Sequence, residues 1–269
     1  MEKFFSNKVV AITGGSDGIG KALVEMLLPM GAKIATCGRN QDKLYDLQLK
    51  YTGLPLHTVV ADVSRYNECQ LFINSTIKQF GHIDVLINNA GVSMRGMLKD
   101  TDVEVFRRLM DINYFGSVYC TKLALPSLLE TKGTIAAISS IAGYRGLPGR
   151  SGYSASKFAL NGWLEAIRTE LIDDDVNVVC ISPGFTRSNI RNAALNKNGE
   201  AQGESPINEE ELMTAEACAG HILNAIAKKK RNVVLSFQGK QTIFMNKFFP
   251  SWADKLVKKF FIKSGELIK

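Results

Sequence analysis

The sequence lacks the features that mark membrane-spanning, disulfide-stabilised or metal-dependent proteins. No apolar run approaches the ~18 residues that a membrane-spanning helix needs. The five cysteines are scattered and none belongs to a C-x-x-C pair, so we expect reduced thiols and neither disulfides nor a zinc site. The three histidines share no cluster, which leaves no metal-ligand pattern. What remains, with 45% hydrophobic and 22% charged residues, is the composition of a folded globular chain.

The first residues also lack the apolar core of a secretory signal. Residues 1–7 pass within a few positions into a strand-like run. Together with the cysteine pattern, this predicts a cytoplasmic protein.

Positive charge is concentrated near the C-terminal end. The chain carries a net charge of +7, but residues 228–269 hold eleven Lys and Arg against two acidic residues. The other 227 residues hold 22 basic and 24 acidic side chains, a net charge of −2. Phosphate binding requires a basic recognition surface, so we expect no nucleic-acid partner for the main body.

Short apolar runs alternate with helical patterns over the first 181 residues. Strands that alternate with helices of this length are typical of right-handed βαβ units, which form a parallel sheet covered on both faces. The sequence therefore predicts one α/β domain, a doubly wound parallel sheet (Rossmann fold) in three α/β/α layers. Strands are predicted at 8–13, 33–37, 56–61, 83–88, 133–139 and 176–181, and helices at 18–30, 42–50, 66–80, 102–130 and 153–173.

Two segments depart from this alternation. Residues 187–208 are polar and without periodicity, and a loop of that length in a compact domain is commonly functional, so we expect a mobile substrate lid. Residues 241–269 are basic and aromatic. We therefore assign residues 1–240 to the catalytic domain and residues 241–269 to a basic amphipathic C-terminal extension.

The extension has the pattern of an amphipathic helix that Pro250 breaks or starts. Apolar residues recur at three- and four-residue spacing, with lysines toward the other side. Such a helix suits binding to an anionic membrane surface. The protein would then be a peripheral protein on the inner face of a membrane. Packing on the substrate pocket or on a sister subunit is the alternative, and the two are compatible. The apolar residues are Met245, Phe248, Phe249, Trp252, Leu256 and Phe260, and the lysines are Lys255, Lys258, Lys259 and Lys263.

A glycine-rich turn stands where the first predicted strand meets the first helix. The run Thr13-Gly14-Gly15-Ser16-Asp17-Gly18-Ile19-Gly20 would let the backbone approach a pyrophosphate at the positive end of a helix dipole. Asp62-Val63 and Asn88-Asn89-Ala90-Gly91 follow the third and fourth strands. All three motifs lie at the carboxyl edge, where doubly wound sheets bind ligands, and together they predict a dinucleotide site.

In this order, the motifs resemble those of the short-chain dehydrogenases/reductases over roughly residues 7–235. The resemblance implies that the glycine turn binds the pyrophosphate, that Asp62 accepts a hydrogen bond from adenine, and that Pro183-Gly184 flanks the nicotinamide. Ser188 stands where the family often has threonine, and Thr186 precedes it, so either hydroxyl could contact the carboxamide. The residues implied for the cofactor are Gly14, Ser16, Asp17, Gly18, Ile19, Gly20, Arg39, Asp62, Val63, Asn89, Ala90, Gly91, Tyr153, Lys157, Pro183, Gly184, Thr186 and Ser188, and none is implied for a metal.

The end of the second strand indicates which nicotinamide cofactor is used. An NAD enzyme usually has an acidic residue there to hold the ribose, whereas this chain has Arg39, whose guanidinium suits a 2′-phosphate. Asp17 argues the other way, because many NADP enzymes of the family carry a basic residue at that place. We weigh Arg39 more heavily and predict NADP(H).

Tyr153 and Lys157 are spaced to share one face of a helix. At i and i+4 their Cβ atoms lie ~5–6 Å apart. A free tyrosine has a pKa near ~10, and we expect the ammonium and an oxidised nicotinamide to lower the pKa of Tyr153. Tyr153 is thus predicted to donate a proton in carbonyl reduction and to accept one in alcohol oxidation.

The family resemblance adds two residues to the catalytic set. Ser140, thirteen residues before the tyrosine, is implied to bind the substrate oxygen, with Ser139 as the fallback. Asn113 matches the family's helix-distorting asparagine and is implied to hold a water that links Lys157 to solvent. The predicted catalytic residues are Ser140, Tyr153, Lys157 and Asn113.

The predicted function is NADP(H)-dependent reduction of a ketone to a secondary alcohol, or the reverse oxidation. Residues 108–119 and 153–160 resemble the lipid-active branch, which includes 3-ketosphinganine reductases and 11-beta-hydroxysteroid-dehydrogenase-like enzymes, so we expect a hydrophobic, lipid-like substrate such as 3-ketosphinganine. A hydroxysteroid dehydrogenase or a 3-oxoacyl-thioester reductase is the alternative. An NADP-binding regulator or membrane adaptor is the non-enzymatic alternative, against which the complete catalytic set argues.

The resemblance also implies a homodimer or homotetramer. The family commonly assembles through the two long helices that correspond to 102–130 and 153–173. We expect their outer faces to carry Phe106, Leu109, Trp163 and Ile167.

Overall fold

The computed structural model describes residues 1–268, and its centre is a sheet of seven strands. These are β1 (Val9–Thr13), β2 (Lys33–Gly38), β3 (Leu56–Val60), β4 (Val85–Asn88), β5 (Thr134–Ile138), β6 (Asn177–Ser182) and β7 (Asn232–Val234). Their order in the sheet is β3-β2-β1-β4-β5-β6-β7, and every neighbouring pair is parallel. The predicted doubly wound sheet is confirmed, and its order reverses between β1 and β4, where such folds bind ligands.

Helices cover both faces of this sheet. Alternate side chains of a strand point to opposite faces, so in β1 Val10 and Ile12 join one apolar cluster and Ala11 joins the other. Across residues 1–268, each helix is too short or too polar to cross a bilayer. The helices are α1 (Glu2–Phe5), α2 (Gly18–Leu27), α3 (Gln41–Lys50), α4 (Tyr66–Phe80), α5 (Val103–Met110), α6 (Gly116–Glu130), α7 (Ser151–Glu170), α8 (Ala215–Ala227), α9 (Phe237–Phe248) and α10 (Pro250–Phe261).

The two apolar clusters lie on opposite faces of the sheet, so the molecule has three layers, helices, sheet and helices. Buried residues of α1, α2 and α8 belong to one cluster, and those of α4 to α7 belong to the other. Helix α8 and strand β7 lie between the predicted strand at 176–181 and the C-terminal extension, where the sequence patterns predicted no helix or strand. Strand β7 is only three residues long and partly exposed, so its apolar pattern is short.

The predicted helix at 102–130 is interrupted. Helix α5 ends at Met110, the five residues Asp111–Phe115 form a π-helical turn, and α6 continues from Gly116. The expected outer face also needs correction, because Leu109 is fully buried beside Gly152 of α7. Phe106, Trp163 and Ile167 are partly buried against the same core. Outward apolar area near these helices comes instead from Val103, Phe115 and Phe158.

The predicted lid segment contains no regular helix or strand between β6 and a short 3₁₀ turn at Glu209–Glu211, within the described residues. It is tied to the body by backbone hydrogen bonds, including Leu195 N–H to the Ser93 carbonyl at 2.8 Å. Its mobility remains a prediction.

The C-terminal residues form α9, α10 and a small antiparallel ribbon, β8 (Ile262–Lys263) with β9 (Glu266–Leu267). Pro250 is the first residue of α10, as its fixed φ and missing N–H favour. The segment packs on the main body, since Arg145 pairs with Asp254 at 2.5 Å and contacts Asn246 at 2.7 Å. The predicted domain boundary at residue 240 falls inside α9.

Candidate active site

A cavity of about 970 Å³ lies at the carboxyl edge of the sheet. Every residue that the sequence assigned to the cofactor lines it, and so do Ser139 and Ser140. The parallel strands explain this convergence, because the loops that follow β1 to β6 all leave the sheet on one side. Asn113 is fully buried and does not line the cavity. Among the described residues, no group of three His, Cys, Asp or Glu could hold a metal ion.

The turn after β1 requires glycine and leaves room for a phosphate. Gly14 has φ +72°, and a Cβ on Gly20 would lie 2.1 Å from the Gly14 carbonyl oxygen. The N–H of Gly14 donates to the Cys37 carbonyl at 2.8 Å, which fixes the turn against β2. The turn delivers the chain to the N-terminus of α2, where the helix dipole favours an anion. This cradle fits a dinucleotide pyrophosphate.

Asn89 fastens this turn to the end of β4. Its side-chain amide donates to the carbonyls of Thr13 at 2.9 Å and Gly14 at 3.1 Å. The Thr13 hydroxyl in turn accepts from the backbone N–H groups of Asn89 and Ala90, both at 3.0 Å. Asn89 therefore shapes the turn with its amide nitrogen, in addition to lining the cavity.

Two cationic side chains border the end of the cavity near β2. Arg39 Nη1 lies 3.9 Å from Asp62 Oδ2, and Lys43 pairs with Asp17 Oδ2. The sequence interpretation missed Lys43, although it stands four residues after Arg39, in the first turn of α3, and lines the same cavity. Asp17 also accepts a hydrogen bond from Gly18 N–H at 2.7 Å as the cap of α2. Its negative charge is thus matched by Lys43.

Asp62 is held by the residues that follow it. Its Oδ1 accepts from the backbone N–H of Ser64 at 2.9 Å and from the Ser64 hydroxyl at 2.8 Å. Its own N–H donates to Glu68 at 2.6 Å. These contacts orient the carboxylate at the cavity wall, with Oδ2 directed toward Arg39.

Tyr153 and Lys157 occupy neighbouring positions on α7, as predicted. Lys157 Nζ lies 5.8 Å from the centre of the Tyr153 ring and donates to the Ile138 carbonyl at 2.8 Å. Both side chains are buried. Burial lowers the pKa of Lys157 to about 8, because the ammonium has left water.

The pKa of Tyr153 moves in the direction opposite to the prediction. Burial raises it, and this effect outweighs the hydrogen bond with Ser140 and the positive charges of Arg150 and Arg191, which all lower the pKa. Tyr153 therefore keeps its proton at neutral pH in this structure. A neutral phenol is the form that a proton donor to a carbonyl requires.

The hydrogen-bond partners of the two serines distinguish their roles. Ser140 hydrogen-bonds Tyr153, and its hydroxyl also accepts from Ala142 N–H at 3.1 Å. Ser139 donates to Asn161 Oδ1 at 2.5 Å. Ser140 rather than Ser139 is therefore the serine beside the tyrosine.

Asn113 lies in the π-helical turn behind this group. Its side chain accepts from Val92 N–H at 2.8 Å and donates to the Val92 carbonyl at 2.9 Å and to the Ser156 hydroxyl at 2.9 Å. These contacts use both N–H bonds of the side-chain amide and fix the chain at Val92, just beyond β4. The water that Asn113 is implied to hold remains a prediction.

The loop after β6 places the two candidate hydroxyls differently. Thr186 is buried, and its hydroxyl donates to the Gly184 carbonyl at 3.3 Å. Ser188 faces the glycine turn, since a Cβ on Gly18 would lie 3.1 Å from the Ser188 Cβ. Both line the cavity, so the predicted contact with the carboxamide stays open between them.

The far end of the cavity is formed by two arginines that the sequence patterns did not assign and by the C-terminal apolar stripe, whose Leu256 and Phe260 line the cavity in agreement with the predicted alternative of packing on the substrate pocket. Arg150 and Arg191 line it, and Arg191 forms a two-point ion pair with Glu209. Helix α10 supplies an apolar wall. No local motif marks the two arginines, because they meet the stripe only through the fold. The wall consists of Leu256, Val257, Phe260 and Phe261.

A doubly wound sheet that presents a phosphate-binding turn at its switch point, next to a buried tyrosine with a lysine and a serine, is the arrangement of a nicotinamide-dependent oxidoreductase. Comparison with protein-family models agrees. Residues 8–199 match the model described as short chain dehydrogenase, and the chain belongs to this family.

Similar proteins from other organisms support the same assignment. The chain is 37% identical over 240 residues to the dehydrogenase/reductase SDR family member 7B of Mus musculus, covering 87% of this chain and 74% of that protein. The member 7B protein of Danio rerio is 35% identical over 258 residues, covering 91% and 82% of the two chains. These names specify neither a ketosphinganine nor a steroid substrate.

Solved structures show the same fold. A short-chain dehydrogenase/reductase from Burkholderia phymatum in complex with NAD superposes with a TM-score of 0.81 at 21% identity, covering 92% of this chain and 95% of that one. A short-chain dehydrogenase from Burkholderia cenocepacia in complex with NADP has a TM-score of 0.79 at 23% identity, covering 94% and 98%. The family thus accommodates both nicotinamide cofactors.

Proposed function

We propose that this protein is an NADP(H)-dependent reductase that converts a ketone on a hydrophobic, lipid-like substrate into a secondary alcohol, or catalyses the reverse oxidation. The observation that carries the proposal is the group of Tyr153, Ser140 and Lys157 in a cavity with an apolar helix at its far end. A 3-ketosphinganine, a ketosteroid or a 3-oxoacyl thioester all have the required carbonyl next to apolar bulk.

The residues of the chain account for the proton side of the reaction. Ser140 and Tyr153 hydrogen-bond each other, so both hydroxyls can bind one carbonyl oxygen. Tyr153 then donates its proton to the forming alkoxide, and the resulting phenolate is stabilised by Ser140 and by the Lys157 ammonium close to the ring. The bound nicotinamide supplies the hydride in reduction and accepts it in oxidation. Burial of the site excludes water from the reacting groups.

Arg39 and Lys43 support NADP(H) as the cofactor. Both are cations at the cavity end next to β2, where the adenosine ribose lies in doubly wound folds. Each is paired with a carboxylate, yet Arg39 approaches Asp62 only to 3.9 Å and its side chain stays 59% exposed. The Arg39 side chain is therefore free to turn toward a 2′-phosphate. Lys43 neutralises the negative charge of Asp17, which would otherwise repel that phosphate.

A turnover screen tests the proposed function. The purified protein is mixed with NADPH and, in turn, with a long-chain 3-ketone, a ketosteroid and a 3-oxoacyl thioester, and NADPH oxidation is followed by absorbance. We expect turnover with at least one ketone that carries a long apolar chain. Activity limited to small polar ketones would contradict the lipid-like substrate, and no activity with any carbonyl would contradict the reductase.

Helix α10 and the end of α9 also support attachment to the surface of an anionic membrane. Phe248 is 56% exposed and Trp252 is 67% exposed, and neither lines the cavity. Lys255, Lys258 and Lys259 are exposed on α10 beside this apolar surface. Lysines near such a surface contribute ~1 kcal/mol each to binding of anionic lipid. We place the protein in the cytoplasm, peripheral on the inner face of a membrane.

The remaining apolar surface supports a homodimer or homotetramer. Phe115 and Phe158, near the predicted assembly helices, are 38% and 46% exposed. We propose self-association through α5, α6 and α7. Light scattering at micromolar concentration should report a dimer or tetramer, and a monomer there would contradict it.

A further inference from the structure

Arg150 carries a buried positive charge that the protein does not neutralise. It stands immediately before α7, is 8% exposed and lines the cavity. Its Nε has no hydrogen-bond partner, and within residues 1–268 no side chain or carbonyl forms a hydrogen bond or ion pair with its guanidinium. The ring of Phe261 lies against it, with its centre 5.9 Å from the guanidinium carbon. The hydrogen-bonding capacity of this group is therefore unused.

Two further arginines near Arg150 are partnered. Arg191 is neutralised by Glu209, and Arg95 Nη1 lies 3.7 Å from Glu204 while its Nη2 donates to the Leu267 carbonyl at 3.2 Å. Burial lowers the pKa of Arg150, and the charges of Arg191 and Arg95 lower it further. Three guanidiniums thus face two carboxylates, and the unmatched charge is that of Arg150.

Burying a charge without a partner costs free energy, and a bound anion would offset that cost. The position strengthens this argument, because Arg150 lies at the N-terminus of a twenty-residue helix, where the dipole favours negative charge. The turn that fits the cofactor pyrophosphate follows β1, which is two strands away from β5 in the sheet. We therefore take the anion at Arg150 to belong to the other ligand of the cavity.

The C-terminal segment closes over Arg150 and adds an apolar wall. The Leu267 side chain packs so closely on Gly149 that a Cβ on Gly149 would lie 2.4 Å from it. Phe261 covers the guanidinium of Arg150. Leu256, Val257 and Leu147 line the same cavity. The cavity thus offers a charge, an apolar surface and, three residues along α7 from Arg150, the hydroxyl of Tyr153.

We propose that Arg150 binds an oxyanion of the substrate, a carboxylate or a phosphate attached a few bonds from the reacting carbonyl, while the apolar tail lies against α10. The reductase would then act on anionic amphiphiles in preference to neutral lipids of the same length. This inference rests on the proposed ketone reductase for its substrate, but the charge site can be tested without turnover.

The first test compares matched ketones. One pair is a long-chain 1-hydroxy-2-ketone and its phosphate ester, and the other is a long-chain 4-oxo acid and its methyl ester, so the two pairs distinguish phosphate from carboxylate. We expect Arg150→Met to raise the KM for the anionic member of at least one pair by ~10- to 100-fold. The KM for the neutral members should hardly change. Arg150→Lys should recover part of the loss.

Arg107→Met is the matched control, because Arg107 is an exposed arginine on α5 outside the cavity. It should leave all four KM values unchanged. Equal effects of Arg150→Met on charged and neutral ketones would overturn the proposal and make Arg150 a positioning residue for Tyr153.

The second test measures binding directly. Calorimetry of the NADPH-bound protein with decyl phosphate and decanoate, against decanol, should show tighter binding of an anion, weakened at least tenfold in Arg150→Met. This result would support the anion site even if no ketone in the panel turned over, in which case only the proposed function would fail. Equal binding of the anions by the wild-type protein and Arg150→Met would overturn the anion site.

Discussion

The cofactor end and the substrate end of the cavity differ in how their binding groups are held. At the cofactor end, backbone geometry dominates, with the Gly14 turn fastened by Asn89 and Cys37 within the first half of the sheet. At the substrate end, side chains dominate, and Arg150 meets Phe261 across more than a hundred residues of sequence. The first arrangement suits a ligand that stays the same throughout a family. The second can change its charge and shape by single substitutions.

The largest effect is expected from a substitution that removes the proton transfer, which lies between the two ends of the cavity. Tyr153→Phe removes the proton donor, and loss of a general acid typically costs ~10²–10⁴-fold in rate. We expect kcat to fall by that factor while NADPH affinity, measured by fluorescence titration, stays nearly unchanged. Tyr45→Phe, at an exposed tyrosine on α3, is the control. Near-normal turnover by Tyr153→Phe would exclude the mechanism, and weak NADPH binding would make the tyrosine mainly structural.

The next effect concerns the cofactor end alone. Arg39→Ala removes a charge-assisted hydrogen bond to the 2′-phosphate, which contributes ~1.5–3 kcal/mol, so the NADPH/NADH preference should fall by roughly ten- to a hundredfold. NADH kinetics should hardly change. Dissociation constants for both cofactors measure this. An unchanged ratio would remove Arg39 from the site.

A smaller effect follows from the pKa of Lys157. Burial lowers this pKa to about 8, so the ammonium loses its proton as the pH rises through that value. The phenolate that Tyr153 leaves behind would then lack a neighbouring positive charge, and kcat/KM for reduction should fall about tenfold per pH unit above the pKa. A profile from about pH 6 to 10 tests this expectation. A flat profile over that range would contradict it.

The smallest effect concerns the outer surface of the substrate end. Phe248→Ser combined with Trp252→Ser removes two exposed aromatic rings and should reduce co-sedimentation with anionic liposomes several-fold at low salt. Leu98→Ser, at an apolar residue 74% exposed elsewhere, serves as the matched control. Wild-type protein that stays in the supernatant would contradict the membrane proposal.

The same contrast between the two ends explains what could be predicted from the sequence. Strands, helices and the cofactor motifs were predictable because each is a local pattern: apolar periodicity, glycines at a turn, and Tyr153 one helical turn from Lys157. The π-helical turn at Asp111–Phe115 has no such local pattern, since it depends on Asn113 bonding to Val92 across the core, and only the family resemblance implied a distorted helix at Asn113. Arg150 and Lys43 were missed for a related reason. Their significance lies in which charges surround them, and this depends on the fold.

The direction of the Tyr153 pKa shows a further limit of local reasoning. The i, i+4 spacing predicted a lowered pKa from the nearby ammonium. The structure adds burial, which raises the pKa and outweighs the hydrogen bond with Ser140 and the charges of Arg150 and Arg191. Only the packing of α7 against the sheet determines which effect is greater.

The separation of the two ends is tested most directly by a double-variant cycle. Strands β2 and β5 are three inter-strand spacings apart, roughly 14 Å, so Arg39 and Arg150 should act independently. The measurement is kcat/KM of wild type, Arg39→Ala, Arg150→Met and the double variant with NADPH and an anionic ketone. Independent ends predict that the two single losses multiply to within about twofold in the double variant. A double variant no worse than either single variant would contradict the account, because both arginines would then serve the same ligand.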